Sequence, residues 1–189
     1  MEDFKALLKA EFAPFGLLSD EQLSLLERHY RLLLRWNQRI NLTRITDIDD
    51  AVKYHYCESL YLARSLPSRP LSIVDVGSGS GFPGIPVAVY RPNCTVDLAE
   101  AHQRKAVFLS EAVRELGLSN ARVIAARAED VSERYDWMIS RAVKPDEVMR
   151  LRLAKSVSVL CNVGEKLPWG RDRFLFHVER WDSSSESST

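Results

Sequence analysis

Leu71-Ser-Ile-Val-Asp-Val-Gly-Ser-Gly-Ser-Gly-Phe-Pro-Gly84 decides how the rest of this sequence is read. The apolar run from Leu71 to Val76 predicts a parallel strand covered on both faces, for which polar–apolar alternation is not needed. It carries an acid near its end, Asp75, and opens into Gly77, Gly79 and Gly81. A strand that breaks into a glycine turn and re-enters a helix offers backbone N–H groups and a helix start to a ligand above it. Glycine accepts positive φ there and lets a ligand lie against the main chain. Gly79, Gly81 and Gly84 also satisfy G-x-G-x-x-G, so a dinucleotide site competes for the same turn.

Asp75 stands two residues before Gly77, which turns the stretch into D-x-G-x-G-x-G. In that form it resembles the first motif of the class I S-adenosylmethionine-dependent methyltransferases. The resemblance implies an α/β, Rossmann-like fold, a mostly parallel sheet with helices on both faces, to which the helical spacing before the turn adds an N-terminal helical extension. It also implies S-adenosylmethionine as cofactor, its amino-acid end held by Asp75 and the backbone of Gly77, Ser78 and Gly79.

The chain of 189 residues is long enough for one α/β domain with an extension and too short for two ordinary domains. The expected division is a helical extension over 1–66, a core over 67–182 and a disordered tail over 183–189, where no apolar residue occurs. Met1-Glu-Asp-Phe-Lys5 starts acidic, without the apolar run of a signal peptide, and no stretch approaches a membrane span. Cys57, Cys94 and Cys161 are odd in number and lack C-x-x-C spacing, which predicts reduced thiols in a cytoplasmic protein and no metal site. Twenty-six basic and twenty-six acidic residues cancel. This is not the basic balance usual for nucleic-acid binders, although a local patch suffices for phosphate contacts.

Before the glycine turn, Phe4, Leu7, Leu8, Phe12 and Phe15 have helical spacing. Ser19 with Gln22 forms a capping-box pattern ahead of a helix expected to run to about Ile40. Arg28, Arg31, Arg35 and Arg39 make a basic stripe on it, either a solvated face or an RNA contact. Asp47 starts another helix, through His55 and Glu58 to about Arg64. After the turn, Gly84–Tyr90 is a short helix and Thr95–Ala99 a strand that delivers Glu100. A carboxylate about 20 residues beyond the turn is placed to bind a ribose diol. Helix 102–116, strand 122–126, strand 135–140, helix 145–155, strand 156–162 and a further strand over 174–181 complete the expected order. Gly77, Glu100, Ala128, Glu129 and Arg141 then all fall at the carboxyl ends of strands, where open parallel sheets bind ligands.

Several segments together resemble one family, the bacterial small-subunit rRNA guanine-N7 methyltransferases, or glucose-inhibited division protein B. They are Trp36-Asn-Gln-Arg-Ile-Asn-Leu-Thr43, His55 with Glu58-Ser-Leu60, the glycine stretch through Ile85-Pro86, Glu100-Ala-His-Gln-Arg-Lys105 and Ser140-Arg-Ala142. The resemblance implies cofactor contacts from Gly77, Phe82, Ala128, Glu129 and Arg141, with Glu100 at the ribose. It implies a cytoplasmic enzyme acting on ribosomal RNA or the small ribosomal subunit, and nothing demands more than a monomer. Arg141, with Arg39 and Asn41 across the cleft, is expected to grip the nucleotide or its phosphate. Glu58 departs from the aspartate usual in the family, and Cys161-Asn-Val-Gly-Glu-Lys166 departs from its glycine-rich turn. Two other readings stay open: a methyltransferase for a small molecule or protein, and a nucleotide-binding protein without turnover.

Overall fold

The computed structural model describes residues 3–170 and 172–179. Its seven strands are β1 (Ser72–Val76), β2 (Thr95–Ala99), β3 (Ala121–Ile124), β4 (Tyr135–Arg141), β5 (Ala154–Cys161), β6 (Glu165–Lys166) and β7 (Phe174–Val178). They form one sheet in the order β3-β2-β1-β4-β5-β7-β6. β1 to β5 run parallel, while β7 pairs antiparallel with β5 and β6. The strand order reverses between β1 and β4, so the crevice beyond their carboxyl ends is the expected ligand site of an open α/β sheet.

The helices are α1 (Phe4–Phe12), α2 (Asp20–Asn37), α3 (Ile48–Ala51), α4 (Glu58–Ser65), α5 (Gly84–Tyr90), α6 (Gln103–Leu116) and α7 (Pro145–Arg150). Side chains alternate across the pleat, which splits the core in two. Ile73, Val96, Leu98 and Ile139 pack with the apolar faces of α1, α2, α4, α5 and α6. Val74, Val76, Met138 and Val157 point the other way, towards Val148 of α7 and Val131. Residues 4–66 thus bury their apolar stripe in the same core as the sheet. Leu26 and Leu33 of α2 are wholly buried there, each side chain contributing about 1.5–3 kcal/mol.

Several boundaries differ from expectation. α2 keeps its capping box, with Ser19 accepting from the Gln22 N–H, but ends at Asn37. The Asn37 side chain accepts from the Leu42 and Thr43 N–H groups and holds the chain in a turn. Between α3 and α4, Val52–Cys57 widens into π-helical turns, a distortion that often marks functional positions. The helix expected over 145–155 stops at Arg150, because Ala154 already pairs with Tyr135 and sheet pairing claims the residues after it. Trp181 and the tail 183–189 lie outside the described residues. The three cysteines are buried and unpaired.

Arg91 was not singled out by its sequence context, yet its buried guanidinium donates to the carbonyls of Ala63, Leu66, Pro67 and Arg69. Those carbonyls leave the end of α4 and the linker into β1, and they would otherwise lack partners. Charge-assisted bonds of this kind contribute about 1.5–3 kcal/mol each at most, and several act together here. Arg91→Ala is therefore expected to lose about 3 kcal/mol in urea unfolding. A loss below about 1 kcal/mol would show that water replaces the guanidinium without cost.

Candidate cofactor crook and its surroundings

β1 ends in a turn stitched to its neighbour. The N–H groups of Gly77 and Ser78 both donate to the Ala99 carbonyl, at 3.0 and 3.1 Å. Gly77, Gly79 and Gly81 have φ of +72°, +56° and +87°, the left-handed region that side chains avoid. A Cβ at Gly77 would meet no atom within 4 Å, so its face is open. Gly84 is glycine for the opposite reason. A Cβ there would lie 2.5 Å from Asp75 Oδ2 and 2.3 Å from Leu98 Cδ2.

That close approach lets the Gly84 N–H donate to Asp75 Oδ2 at 2.9 Å. Asp75 is wholly buried, and its other oxygen, Oδ1, has no partner. Burial pushes its carboxyl up to about 7, against the Gly84 N–H, which favours the anion. Ser78 is buried too, its hydroxyl donating to the Asp75 carbonyl. Glu100, just past β2, accepts from the Gly79 N–H at 2.8 Å and from the His102 N–H at 2.7 Å. One carboxylate thereby sets both the glycine turn and the start of α6.

Ala128 and Glu129 begin a short 3-10 turn beyond the carboxyl end of β3, Ala128 half-buried and Glu129 exposed. Gly77, Ser78, Gly79, Glu100, Ala128 and Glu129 therefore share the carboxyl edge of β1, β2 and β3. Arg141 closes the row at the end of β4. Its Nη1 donates to the Tyr54 carbonyl at 3.0 Å and lies 2.6 Å from His55 Nδ1. Its guanidinium carbon sits 5.7 Å from the centroid of the Phe82 ring. Burial lowers the Arg141 guanidinium to about 10, while the charges of Glu58 and Asp75 work against that.

Phe82 is buried between elements rather than open to the cleft. The His55 ring stacks on it at 4.5 Å and 15°, and His29 and Tyr56 meet its edge. His55 uses both nitrogens, Nδ1 against Arg141 and Nε2 at 2.8 Å from Thr43 Oγ1. Burial first, and the Arg141 charge second, hold its imidazole far below the ordinary range, so it stays neutral. His29 of α2 is wholly buried behind the glycine turn, with Nδ1 at 3.0 Å from the Tyr56 hydroxyl. Burial depresses it to about 3. Asn37, Thr43, Tyr54 and His29 thus support the crook from the helical segment, roles that no local spacing announced.

Arg39 and Asn41 lie exposed in the loop after α2, and no hydrogen bond or ion pair joins them to Arg141 among the described residues. Thr43, two residues on, is the link from this loop to Arg141 through His55. The rest of the basic stripe makes protein contacts while its side chains stay largely exposed. Arg28 donates to the Glu115 carbonyl, Arg31 pairs with Glu27 and Arg35 with Glu115. Among the described residues no group of three or more His, Cys, Asp or Glu side chains is arranged to hold a metal ion.

The sheet order and the crook at its switch point define the fold of the class I S-adenosylmethionine-dependent methyltransferases. Among solved structures, a Plasmodium falciparum chain described as a protein-L-isoaspartate O-methyltransferase, in complex with S-adenosyl-L-homocysteine, superposes with a TM-score of 0.53. It is 15% identical, and the match covers 95% of this chain and 96% of that one. A SAM dependent methyltransferase from Aquifex aeolicus gives a TM-score of 0.50 at 15% identity, over 64% of this chain and 71% of that one. The family is set by sequence. Residues 22–160 match the GidB family, rRNA small subunit methyltransferase G, and the chain belongs to it. The ribosomal RNA small subunit methyltransferase G of Carboxydothermus hydrogenoformans is 38% identical over 77% of this chain and 65% of its own length. That of Chromobacterium violaceum is 41% identical over 72% and 66%. The chain thus spans just under two thirds of the length of these relatives.

Proposed function

We propose that the protein is an S-adenosylmethionine-dependent methyltransferase that methylates N7 of a guanine in small-subunit ribosomal RNA, in the cytoplasm where that RNA is assembled. The family match supports the acceptor in this reading, and one observation carries the cofactor: an open, positive-φ glycine turn lies between a buried carboxylate with an unpartnered oxygen and a second carboxylate at the next strand end. Those residues fit the cofactor. The open face of Gly77 leaves room against the main chain, Asp75 Oδ1 awaits a donor, and Glu100 keeps acceptor lone pairs for a diol. Asp75, Gly77, Ser78, Gly79, Glu100, Ala128 and Glu129 would hold it, with Phe82 and Arg141 supporting the crook from behind. When bound, it supplies a methyl group already activated on a sulfonium.

Guanine N7 attacks with a lone pair, so this chain needs to supply position and dryness rather than a general base. His55, neutral and occupied at both nitrogens, fits a positioning role beside Arg141. The membership of the GidB family favours RNA over a small molecule or protein as acceptor.

The test has two arms. S-adenosylhomocysteine is expected to raise the melting temperature of the chain and NAD to leave it unchanged, since only a ligand of the native state stabilises it. Radiolabelled methyl transfer should then appear in small-subunit rRNA and be mapped to guanine N7. Stabilisation by NAD alone would overturn the reading, and label in protein only would overturn the choice of acceptor.

A further inference from the structure

Among the surface cavities formed by the described residues, three differ in the edge of the sheet they stand on. Two open at its amino edge: one over Ser72, Thr95, Ala121 and Tyr135, where β1 to β4 begin, the other near Gln22, Pro92 and Asn120. The third, about 340 Å³, lies at the carboxyl ends of β4 and β5, lined by Ala142, Lys144, Cys161, Asn162, Asp172 and Arg173. It stands on the same edge as the crook, one strand along from it, since Val76 pairs with Ser140 and Arg141 with Leu160. Its size suits a small ligand or a single base. An acceptor must come within about 3–3.5 Å of the transferred group, which a cavity on this edge allows and the two at the amino edge do not.

The wall away from the crook comes from Cys161, Asn162, Asp172 and Arg173, beyond the stretch that matches the family. These residues precede or form the loop of the β6–β7 hairpin, where the Leu167 N–H donates to the Arg173 carbonyl. α4 holds it at three points. Tyr61 donates its hydroxyl to Glu165 at 3.0 Å, and Trp169 packs edge-on against Tyr61 and Phe15. The third is Arg173 Nε, 3.7 Å from Glu58 Oε1. Glu58 is wholly buried and neither of its oxygens has a hydrogen bond. A buried carboxylate in that state is costly and needs a charge beside it. Arg173 is the foremost such charge, ahead of Arg141, and it is also a lining residue of the cavity.

We propose that this cleft receives the acceptor nucleotide of the RNA, and that the Glu58–Arg173 pair is the positioning contact that fixes its outer wall. This deepens the functional reading above and rests on it. Lys144 at the rim supplies a cation for phosphate, while the Asn162 amide and the Asp172 carboxylate offer donors and acceptors to a base edge.

The experiment measures affinity of the full chain for small-subunit rRNA in saturating S-adenosylhomocysteine, KM and kcat of methyl transfer, and affinity for S-adenosylhomocysteine alone. Arg173→Ala and Glu58→Gln should each weaken RNA affinity and raise its KM about tenfold, as misplacement of a positioning wall does. Affinity for S-adenosylhomocysteine should stay within about twofold, the crook being a separate site. Arg173→Lys, which keeps the charge, should recover most of the loss. Arg173→Ala strands a buried carboxylate and could fail to fold, so Lys144→Ala on the exposed rim is the second probe, with the same expected loss. RNA affinity and KM unchanged in Glu58→Gln and Lys144→Ala would overturn the proposal. A wild-type chain that binds RNA without transferring methyl groups would instead overturn the functional reading, leaving the cleft to be decided by affinity.

Discussion

Glu100→Ala is expected to lower affinity for S-adenosylhomocysteine by at least about 100-fold, ~2.7 kcal/mol. Two effects add. The wild-type carboxylate accepts from the N–H groups of Gly79 and His102, so its removal leaves both donors without a partner and frees the glycine turn. A turn with positive φ at Gly77, Gly79 and Gly81 has much entropy to regain once released. The second effect is the loss of an acceptor for the ribose hydroxyls, in the proposed arrangement. Glu100→Gln separates them, because an amide oxygen can keep one N–H bond while its NH2 group cannot accept. It should fall between wild type and Glu100→Ala. Isothermal titration of the three proteins checks this, and equal affinities would remove Glu100 from the cofactor site.

Asp75→Asn should become steadily more stable than wild type as pH rises from 4 to 8. Burial holds the Asp75 carboxyl at about 7 in the folded chain, against an ordinary 3.8. A group with its folded pKa raised contributes stability that is fully present below 3.8 and lost as pH rises through about 7. The loss is on the order of 4 kcal/mol, and asparagine does not titrate. Glu58, also raised to about 7 by burial, and the depressed His29 and His55 titrate alike in both proteins and cancel in the difference. Urea unfolding at several pH values reads it. S-adenosylhomocysteine carries an ammonium group that pairs best with the Asp75 anion, so wild-type affinity should rise through pH 7 and the variant should lack that rise. A flat stability difference would mean that Asp75 ionises freely in the folded chain.

Residues that act through the backbone near them were legible from sequence. The run to Val76, the alternate glycines and the acid after the next strand place Gly77, Gly79 and Glu100 because strand, turn and helix follow one another along a few residues. That the first strands would run parallel followed the same logic, since strand, crossover and strand alternate along the chain. Their order, with β4 paired to the far side of β1 from β2, was decided by the tertiary structure. The last third was harder to read. Lys155 has no local signal against a helix, and only pairing with β4 draws the neighbouring Ala154 into β5.

Side-chain partners far apart in the chain were decided by tertiary structure. Arg141 was visible at a strand end, but its contacts are with Tyr54 and His55 of a helix over eighty residues earlier. Asn41 drew attention as a helix-end residue, while Asn37 makes the bonds that shape the loop. The basic stripe on α2 was visible as spacing, while its protein partner Glu115 is set by the packing of α6. Local sequence determined the cofactor crook because its geometry is a property of contiguous backbone. The supporting histidines, the Arg91 brace and the Glu58–Arg173 wall belong to side chains whose partners exist only once the helices have closed over the sheet.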